Sequence, residues 1–484
     1  MYPRKLCRAI LKGLCTQLKE DGRLQRCIFG IDDVHEPDGV EVMKVEGELS
    51  LPAGCSGKYK DDLSGQPLRD DLVTAARRKE LDYFNSKSVW TKRLRQEAYD
   101  KTHRPPISVR WVDVNKGDDE HPNYRSRLVA RQLKACDKSG DSFFAPTPPL
   151  EALKTIFMLA STTIPGMRAT NLEPDSEERT QLSFLDVARA YFNARTDPGD
   201  PTYVELPPED GDNGAYVALL LRHMYGTRKA AEGWQQEYSC MLVSELGFTQ
   251  GVASPCTFFH RERSIACCVH GDDFTSTGAK SQLDWMEAEV QKRYECKIGP
   301  RLGPGNADAK ETTVLNRVVR WTASGIEYEA DPRQGEKLVK ECGLDGANSV
   351  ATPGVRPTSE QVKADTPLKP HLHTAFRAAA ARGNYLAMDR IDLQFGAKEI
   401  CRWMAAPTEL SWAAFKRLCR FLVGLPRLVY RYPWQTAESV EVYSDTDWSG
   451  CPITRKSTSG GCIMVGSHVL KTWSSTIASV ALSS

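Results

Sequence analysis

The stretch SIACCVHGDDFTSTG, residues 264–278, contains two short β-type runs separated by a polar turn. The first run, Ile265 to Val269, is apolar, and the second resumes at Phe274. A Gly-Asp pair between two such runs predicts a β-hairpin with Asp272 and Asp273 at its tip. Adjacent carboxylates on a tight turn repel each other, so such a tip either binds a cation or faces solvent.

The Asp-Asp dipeptide is weak evidence for a metal site by itself, because the chain contains five of them. They are Asp32-Asp33, Asp61-Asp62, Asp70-Asp71, Asp118-Asp119 and Asp272-Asp273. Only the last pair lies between two apolar β-type runs. Its local sequence leaves both metal binding and plain solvent exposure open.

The composition is that of an ordinary globular protein. The chain has 484 residues, 40% of them hydrophobic and 26% charged, and a formal net charge of +1. The length predicts about two to four domains, and the near-zero net charge means that any surface for nucleic acid must be local.

The sequence also predicts an intracellular protein, in the cytoplasm or nucleus, that is neither secreted nor bound to a membrane. Its 15 cysteines form no C-x-x-C pair, and many lie in apolar runs, as buried thiols in a reducing compartment do. No apolar segment approaches the ~20 residues that span a bilayer, and no signal-peptide core follows the first residues.

One segment is strongly basic. Residues 87–138 contain thirteen Lys and Arg against seven Asp and Glu. Within it, residues 107–114 and 124–133 alternate like two strands. Arg125, Arg127 and Arg131 are spaced by even numbers, so they share one strand face. Such a face fits a polyphosphate or a nucleic-acid backbone, although a solvated sheet face is an equal alternative.

A third acid follows another buried strand. The run QLSFLDVARAYFN, residues 181–193, reads as a strand that ends near Asp186. A carboxylate at a strand end is a recurrent catalytic placement, and the alternative is a helix N-cap. If the hairpin pairs beside this strand, Asp186, Asp272 and Asp273 can together hold two Mg²⁺ ions, with Mn²⁺ as a substitute.

Several motifs follow one another in an order that is more specific than any one of them. They are YRSRLVAR (124–131), FAPT (144–147), LDVARAYFN (185–193), MYGTRKAAEGW (224–234), HGDD (270–273), YSDTDWSG (443–450), RKSTSG (455–460) and WSS (473–475). From about residue 87 onward the chain closely resembles the reverse transcriptase region of the Pol polyprotein of copia-type long-terminal-repeat retrotransposons. The last three motifs resemble the opening of the family's ribonuclease H domain.

The resemblance implies a role for each matching residue. Asp186, Asp272 and Asp273 would be the catalytic, metal-binding acids. The nucleotide-binding residues would be Arg125 and Arg131 at the triphosphate, Tyr191 under the deoxyribose, and Tyr225 with Gly226 beside the nucleotide and template. Arg127 would contact nucleic acid, and Asp445 would remain from the ribonuclease H site. The partners would be dNTPs and an RNA or DNA template with its primer; oligomerisation is left open.

The resemblance also implies an α+β fold of the right-hand polymerase type. Residues 87–300 would be the fingers and the palm with its antiparallel sheet; before them, the weak patterning of residues 1–86 predicts a weakly structured leader with a helix near 72–84. Residues 301–435 would be a helical thumb and connection, including helices over 374–404 and 407–423. Residues 440–484 would be a truncated ribonuclease H-like segment without ribonuclease activity.

Some positions depart from the family pattern. His270 stands where Tyr usually precedes the Asp-Asp pair, Gln132 and Ala194 stand where Gly is frequent, and Ala231 replaces a usual Pro. None of these changes removes a metal ligand. The expected function is therefore RNA-directed DNA polymerisation. The alternatives are an inactive remnant that binds nucleic acid and, less favoured, a metal-dependent nuclease.

Overall fold

A computed structural model describes residues 54–132, 145–212 and 214–480. Most of the predicted leader, Phe144 of the second motif and the last four residues lie outside this described part. The predicted helix near residues 72–84 is confirmed, because a helix covers Asp70–Ser86.

The described residues form ten α-helices. They are α1 (Asp70–Ser86), α2 (Arg95–Thr102), α3 (Leu150–Ala160), α4 (Ala230–Cys240), α5 (Lys280–Arg293), α6 (Pro332–Glu341), α7 (Ser359–Lys363), α8 (His373–Ala387), α9 (Gln394–Cys401) and α10 (Glu409–Gly424). A turn of π-helix, Met241–Glu245, continues α4.

The described residues also form twenty β-strands. The first ten are β1 (Trp90–Leu94), β2 (Val109–Asn115), β3 (Tyr124–Ala130), β4 (Thr162–Thr163), β5 (Thr180–Val187), β6 (Tyr203–Val204), β7 (Tyr216–Leu220), β8 (Thr249–Gln250), β9 (Thr257–His260) and β10 (Ile265–His270). They are followed by β11 (Asp273–Ala279), β12 (Cys296–Ile298), β13 (Glu311–Val314), β14 (Arg317–Thr322), β15 (Gly325–Glu329), β16 (Val429–Pro433), β17 (Gln435–Thr436), β18 (Val440–Thr446), β19 (Thr458–Val465) and β20 (His468–Thr476).

The chain divides into two compact units, and the first takes its described residues from 1–145 and 189–241. It contains the antiparallel sheet β1-β7-β6 and the antiparallel hairpin of β2 and β3. Its core includes Phe84, Leu128, Phe192 and Met224. The core forms because α1 and the inner face of β3 present apolar side chains to the same interior.

The second unit takes its described residues from 146–188 and 242–480. Its largest sheet is antiparallel, with the order β12-β5-β11-β10-β9-β8. On one face Leu182 packs in a core with Ile156 of α3. On the other face Ser183 Oγ donates a hydrogen bond of 2.5 Å to Glu287 of α5. The central strands β5, β11 and β10 are therefore covered on both sides, which explains why nearly all of their residues are buried, including polar ones such as Ser276 and Thr277.

The rest of the second unit consists of smaller sheets and a group of helices. The sheet β13-β14-β15-β16 is antiparallel, as is β18-β19-β20, and β17 pairs in parallel with β4. Helices α6, α8, α9 and α10 share a core that contains Leu338, Phe376, Ala397 and Leu418. These apolar residues recur at helical spacing, so each helix buries one stripe.

The prediction of a single helix over residues 374–404 is wrong. The chain leaves helical geometry after Ala387 and resumes it at Gln394, which separates α8 from α9. Asp389 and Arg390 lie in this break and are 2% exposed. Asp389 pairs with the distant Arg317 at 2.9 Å, and Arg390, besides its ion pair with the nearby Asp392 at 2.7 Å, donates to the Leu425 carbonyl at 2.8 Å. A regular helix through this segment would have to give up these buried ion pairs.

The right-hand arrangement of fingers, palm and thumb and the predicted domain boundaries stay predictions. The structure is a mixture of helices and mainly antiparallel sheets. Within the described part of the chain, we find no helix that is both long and apolar enough to cross a bilayer.

Candidate active site

The predicted β-hairpin is confirmed. Strands β10 and β11 pair antiparallel, with His270 opposite Asp273, and Gly271 and Asp272 form the two-residue turn. Gly271 has φ +65°, which suits the first central residue of a tight hairpin turn. The Asp272 carbonyl accepts a hydrogen bond of 2.9 Å from the backbone amide of Val187, so the tip is attached to β5.

The register of the sheet brings the third acid to the same place. Asp273 lies directly opposite Asp186 in the pairing of β11 with β5. Directly opposite residues of antiparallel strands point to the same face, with Cβ atoms about 5 Å apart. The alternative of an N-cap at Asp186 is wrong, because the short 3₁₀ turn that follows begins at Ala190 and has Arg189 at its N-cap.

The electrostatics of the site reflect this crowding of acids. Burial, together with the negative charges of Asp272 and Asp186, raises the pKa of Asp273 from 3.8 to about 6. Burial and the positive charge of Arg317 lower the pKa of the neighbouring His270. His270 is therefore neutral near pH 7 and does not offset the negative charge of the acids.

The donor set suits a hard divalent cation, although it is not a closed cage. Carboxylate oxygens are the ligands that Mg²⁺ prefers, and a cation would relieve the repulsion that raises the pKa of Asp273. Among the described residues, however, no three His, Cys, Asp or Glu side chains are gathered closely enough to hold a metal ion. The residues therefore fit ions that would take part of their coordination from water or from substrate phosphates.

A lysine that the sequence reasoning missed lies beside these acids. Lys297 of β12 is directly opposite Asp186, on the strand edge away from Asp273. Its side chain is exposed and shares the face of the sheet that carries the acids. In the segment that follows β12, Leu302 is fully buried and pairs with Leu182 of β5. Strand β12 has three residues, none of them buried, so the sequence shows no alternation that could reveal it.

The basic strand of the first unit has the predicted alternation. Arg125 is exposed and Arg127 half-buried on one face of β3, whereas Ser126, Leu128 and Ala130 are buried on the other. Arg131 follows the strand and is also exposed. The guanidinium of Arg127 lies over the ring of Tyr225, 4.8 Å from its centroid.

The predicted residues Tyr191, Tyr225 and Gly226 also come together in the first unit. The rings of Tyr191 and Tyr225 are 5.0 Å apart between centroids. The backbone amide of Ala130 donates to the Tyr225 carbonyl at 2.8 Å, which joins the end of β3 to this turn. Gly226 has φ +84°, and a Cβ atom there would lie 1.9 Å from the Ala130 carbonyl oxygen. Only glycine fits this close approach of the two chain segments.

Asp445, the last predicted site residue, lies in β18 opposite Gly460. All seven residues of β18 are exposed. The neighbouring Asp447 is engaged elsewhere, since it pairs with Arg356 and accepts a hydrogen bond of 2.6 Å from the Thr458 amide. The structure thus sets Asp186 opposite Asp273 and attaches the turn that carries Asp272 to β5 in the second unit, whereas Asp445 lies on the separate sheet β18-β19-β20.

Comparison with known proteins identifies sequences that are similar to this chain. It is 26% identical over 455 residues to the Retrovirus-related Pol polyprotein from transposon RE2 of Arabidopsis thaliana, covering 90% of this chain and 28% of that protein. The corresponding polyprotein from transposon RE1 is 24% identical over 447 residues, with the same coverage. The chain is a relative of retrotransposon Pol polyproteins. This confirms the resemblance predicted from the ordered motifs.

Two further findings limit what the comparison says about this chain. An uncharacterized mitochondrial protein of Arabidopsis thaliana is 24% identical over 207 residues, which is 43% of this chain and 80% of that protein. No protein-family model matches the chain. Because the chain spans little more than a quarter of the length of the two Pol polyproteins, their complete activities do not transfer to it automatically.

Proposed function

We propose that the chain is an RNA-directed DNA polymerase of a retrotransposon, with a right-hand fold of fingers, palm and thumb. It would add dNTPs to the 3′-hydroxyl of a primer on an RNA or DNA template. The relationship to retrotransposon Pol polyproteins supports this class of function. The observation that carries the proposal is the register that sets Asp273 opposite Asp186 and next to Asp272.

In this proposal Asp186, Asp272 and Asp273 hold two Mg²⁺ ions, which Mn²⁺ could replace. When bound, the ions would lower the pKa of the attacking hydroxyl and neutralise charge on the leaving pyrophosphate. The acids on β5 and the hairpin tip supply hard oxygen ligands from a rigid sheet, so their separation changes little during the reaction. Arg125, Arg131, Tyr191, Tyr225 and Gly226 keep their predicted roles at the nucleotide, and Arg127 its role at nucleic acid.

Primer extension with the purified chain tests the proposal. We expect Mg²⁺-dependent incorporation of dNTPs on an RNA template, and we expect Asp272→Asn to lower the rate at least about a thousandfold, as loss of a catalytic metal ligand does. Asp345→Asn is the matched control, since Asp345 is an exposed aspartate far along the chain from the acids, in the segment after α6. This variant should extend primers at the wild-type rate.

Template binding separates the proposal from its alternative. If the wild-type chain binds a primer–template but extends it no faster than Asp272→Asn, the chain is an inactive nucleic-acid-binding remnant. Among the described residues the acids are not gathered into a metal-binding group, and this observation is the reason for testing the inactive alternative. Metal-dependent cleavage of an RNA–DNA hybrid without extension would instead support a nuclease.

A further inference from the structure

A cavity of about 500 Å³ lies within the second unit, away from the three acids. Helices α9 and α10 form part of its wall, and residues 350–357 and 450–453 complete it. Much of the lining is apolar, including Phe395, Ile400, Trp403 and Ile453. This volume lies within the range of about 300–1,000 Å³ that is usual for small-molecule sites.

The polar part of the lining is strongly cationic. Its charged residues are Arg356, Arg402, Lys416, Arg417, Arg420 and one carboxylate, Glu399. Glu399 is already occupied, because it pairs with Lys398 at 2.6 Å and with Arg402 at 3.1 Å. The cavity therefore carries several positive charges that its own carboxylate does not balance.

Three of these cationic side chains have N–H groups that are available to donate hydrogen bonds to a bound anion. Arg417 donates through Nη2 to Thr352 at 2.8 Å, but its Nε is buried and has no hydrogen-bond partner among the described residues. Lys416 and Arg420 are exposed at the cavity and form no ion pair within the described part of the chain. A buried donor without an acceptor costs about 1–3 kcal/mol, and an anion in the cavity would supply the missing acceptor.

We propose that this cavity binds a compact organic anion. Its apolar or aromatic body would lie against Phe395, Trp403 and Ile453, and a single phosphate, sulfate or carboxylate group would face Lys416, Arg417 and Arg420. The partly apolar enclosure strengthens the attraction between the anion and the guanidinium groups. A continuous nucleic-acid strand fits less well, because it presents a row of phosphates to an extended surface rather than one anion to a half-open cavity.

A cysteine in the cavity wall can report on the bound anion. Cys451 is 8% exposed, and its Sγ accepts hydrogen bonds from Arg402 Nη2 at 2.9 Å and from the Thr454 amide at 3.4 Å. Burial opposes ionisation of this thiol, but the hydrogen bonds outweigh it and bring the pKa of Cys451 down to about 7. Much of the thiol is then ionised near neutral pH, so alkylation can measure whether the cavity is filled.

The experiment uses anilinonaphthalene sulfonate, an aromatic sulfonate, and the full-length chain in fluorescence titrations. We expect saturable binding of about one probe per chain, and we expect Arg420→Glu to weaken it at least about tenfold. Lys337→Glu, which makes the same charge change at an exposed position of α6 outside the cavity lining, should leave binding unchanged. Phenylnaphthylamine, which has the same aromatic body without the sulfonate, should bind at least about tenfold more weakly to the wild type.

Iodoacetamide labelling gives a second readout. The sulfonate should slow alkylation of Cys451 and leave alkylation of Cys240, an exposed cysteine of the first unit, unchanged. Equal binding of the charged and neutral probes, or equal affinity of Arg420→Glu and wild type, would overturn the proposal. Displacement of the probe by an RNA–DNA hybrid would assign these cations to nucleic acid and overturn it as well. The site is independent of the proposed polymerase activity, so an inactive chain should still bind the sulfonate.

Discussion

Replacing Asp273 by Asn should stabilise the metal-free protein at neutral and alkaline pH, although the proposed reaction needs this acid. The carboxyl is ionised there while Asp272 and Asp186 lie nearby, and its pKa is raised from 3.8 to about 6. A raised pKa of an acid means that the folded state prefers the protonated form. The cost to folding is therefore small below about pH 4, grows as the pH rises towards 6, and is complete above it.

The size of the effect follows from the shift. Each pKa unit corresponds to about 1.4 kcal/mol, so the raised pKa of Asp273 costs at most about 3 kcal/mol of unfolding free energy at pH 8. Salt and partial solvent exposure reduce this, and we expect a gain of about 1–2 kcal/mol in Asp273→Asn. Urea unfolding in the presence of a chelator, at about pH 8 and about pH 4.5, measures the gain at both ends of the titration.

Two comparisons make the test decisive. Asp345→Asn, at an exposed position, should change the unfolding free energy by no more than about 0.5 kcal/mol at either pH. Millimolar Mg²⁺ should stabilise the wild type more than Asp273→Asn, because the ion binds only the complete set of acids. An equal gain at both pH values, or no gain at pH 8, would show that burial and the neighbouring acids do not raise the pKa of Asp273.

Three further substitutions test other parts of the structure. Gly226→Ala should lower the unfolding free energy in urea by about 2–4 kcal/mol, because the new Cβ meets a backbone carbonyl. Gly65→Ala, at a position with a similar positive φ and open space around it, should lower it by only about 1–2 kcal/mol. Equal losses would contradict the close approach of Gly226 to the Ala130 carbonyl. Tyr191→Ala should raise the ratio of ribonucleotide to deoxyribonucleotide incorporation about tenfold or more, if the ring excludes a 2′-hydroxyl; an unchanged ratio would remove that role. Asp389→Ala should lower the unfolding free energy by about 3–5 kcal/mol in the same assay, because it leaves Arg317 buried without its carboxylate partner. A decrease of less than about 1 kcal/mol would show that water reaches this ion pair.

Local sequence patterns predicted most of the elements that carry the site. The apolar runs around the Gly-Asp turn predicted β10 and β11, and the run that ends near Asp186 predicted β5. The even spacing of Arg125 and Arg127 predicted their common face on β3. These predictions succeeded because strand periodicity and turn chemistry depend on neighbours in the sequence.

Features that depend on distant partners were not visible in the sequence. At the break between α8 and α9, Asp389 pairs with Arg317 and Arg390 donates to the Leu425 carbonyl, both far away in the sequence, and neither Asp389 nor Arg390 is a helix breaker by itself. Lys297 joins the site through the pairing of a three-residue strand with β5. Such a short strand has too few residues to show a period.

The sequence by itself determined which residues could act as metal ligands, which strands would carry them, and to which retrotransposon proteins the chain is related. Only the tertiary structure decided that Asp273 lies opposite Asp186 and that Lys297 lies on the other side of Asp186. Burial and this pairing together raise the pKa of Asp273. The reason is that the pKa of a side chain depends on its burial and on its distances to other charges, and both are set by packing and by strand pairing across the sheet.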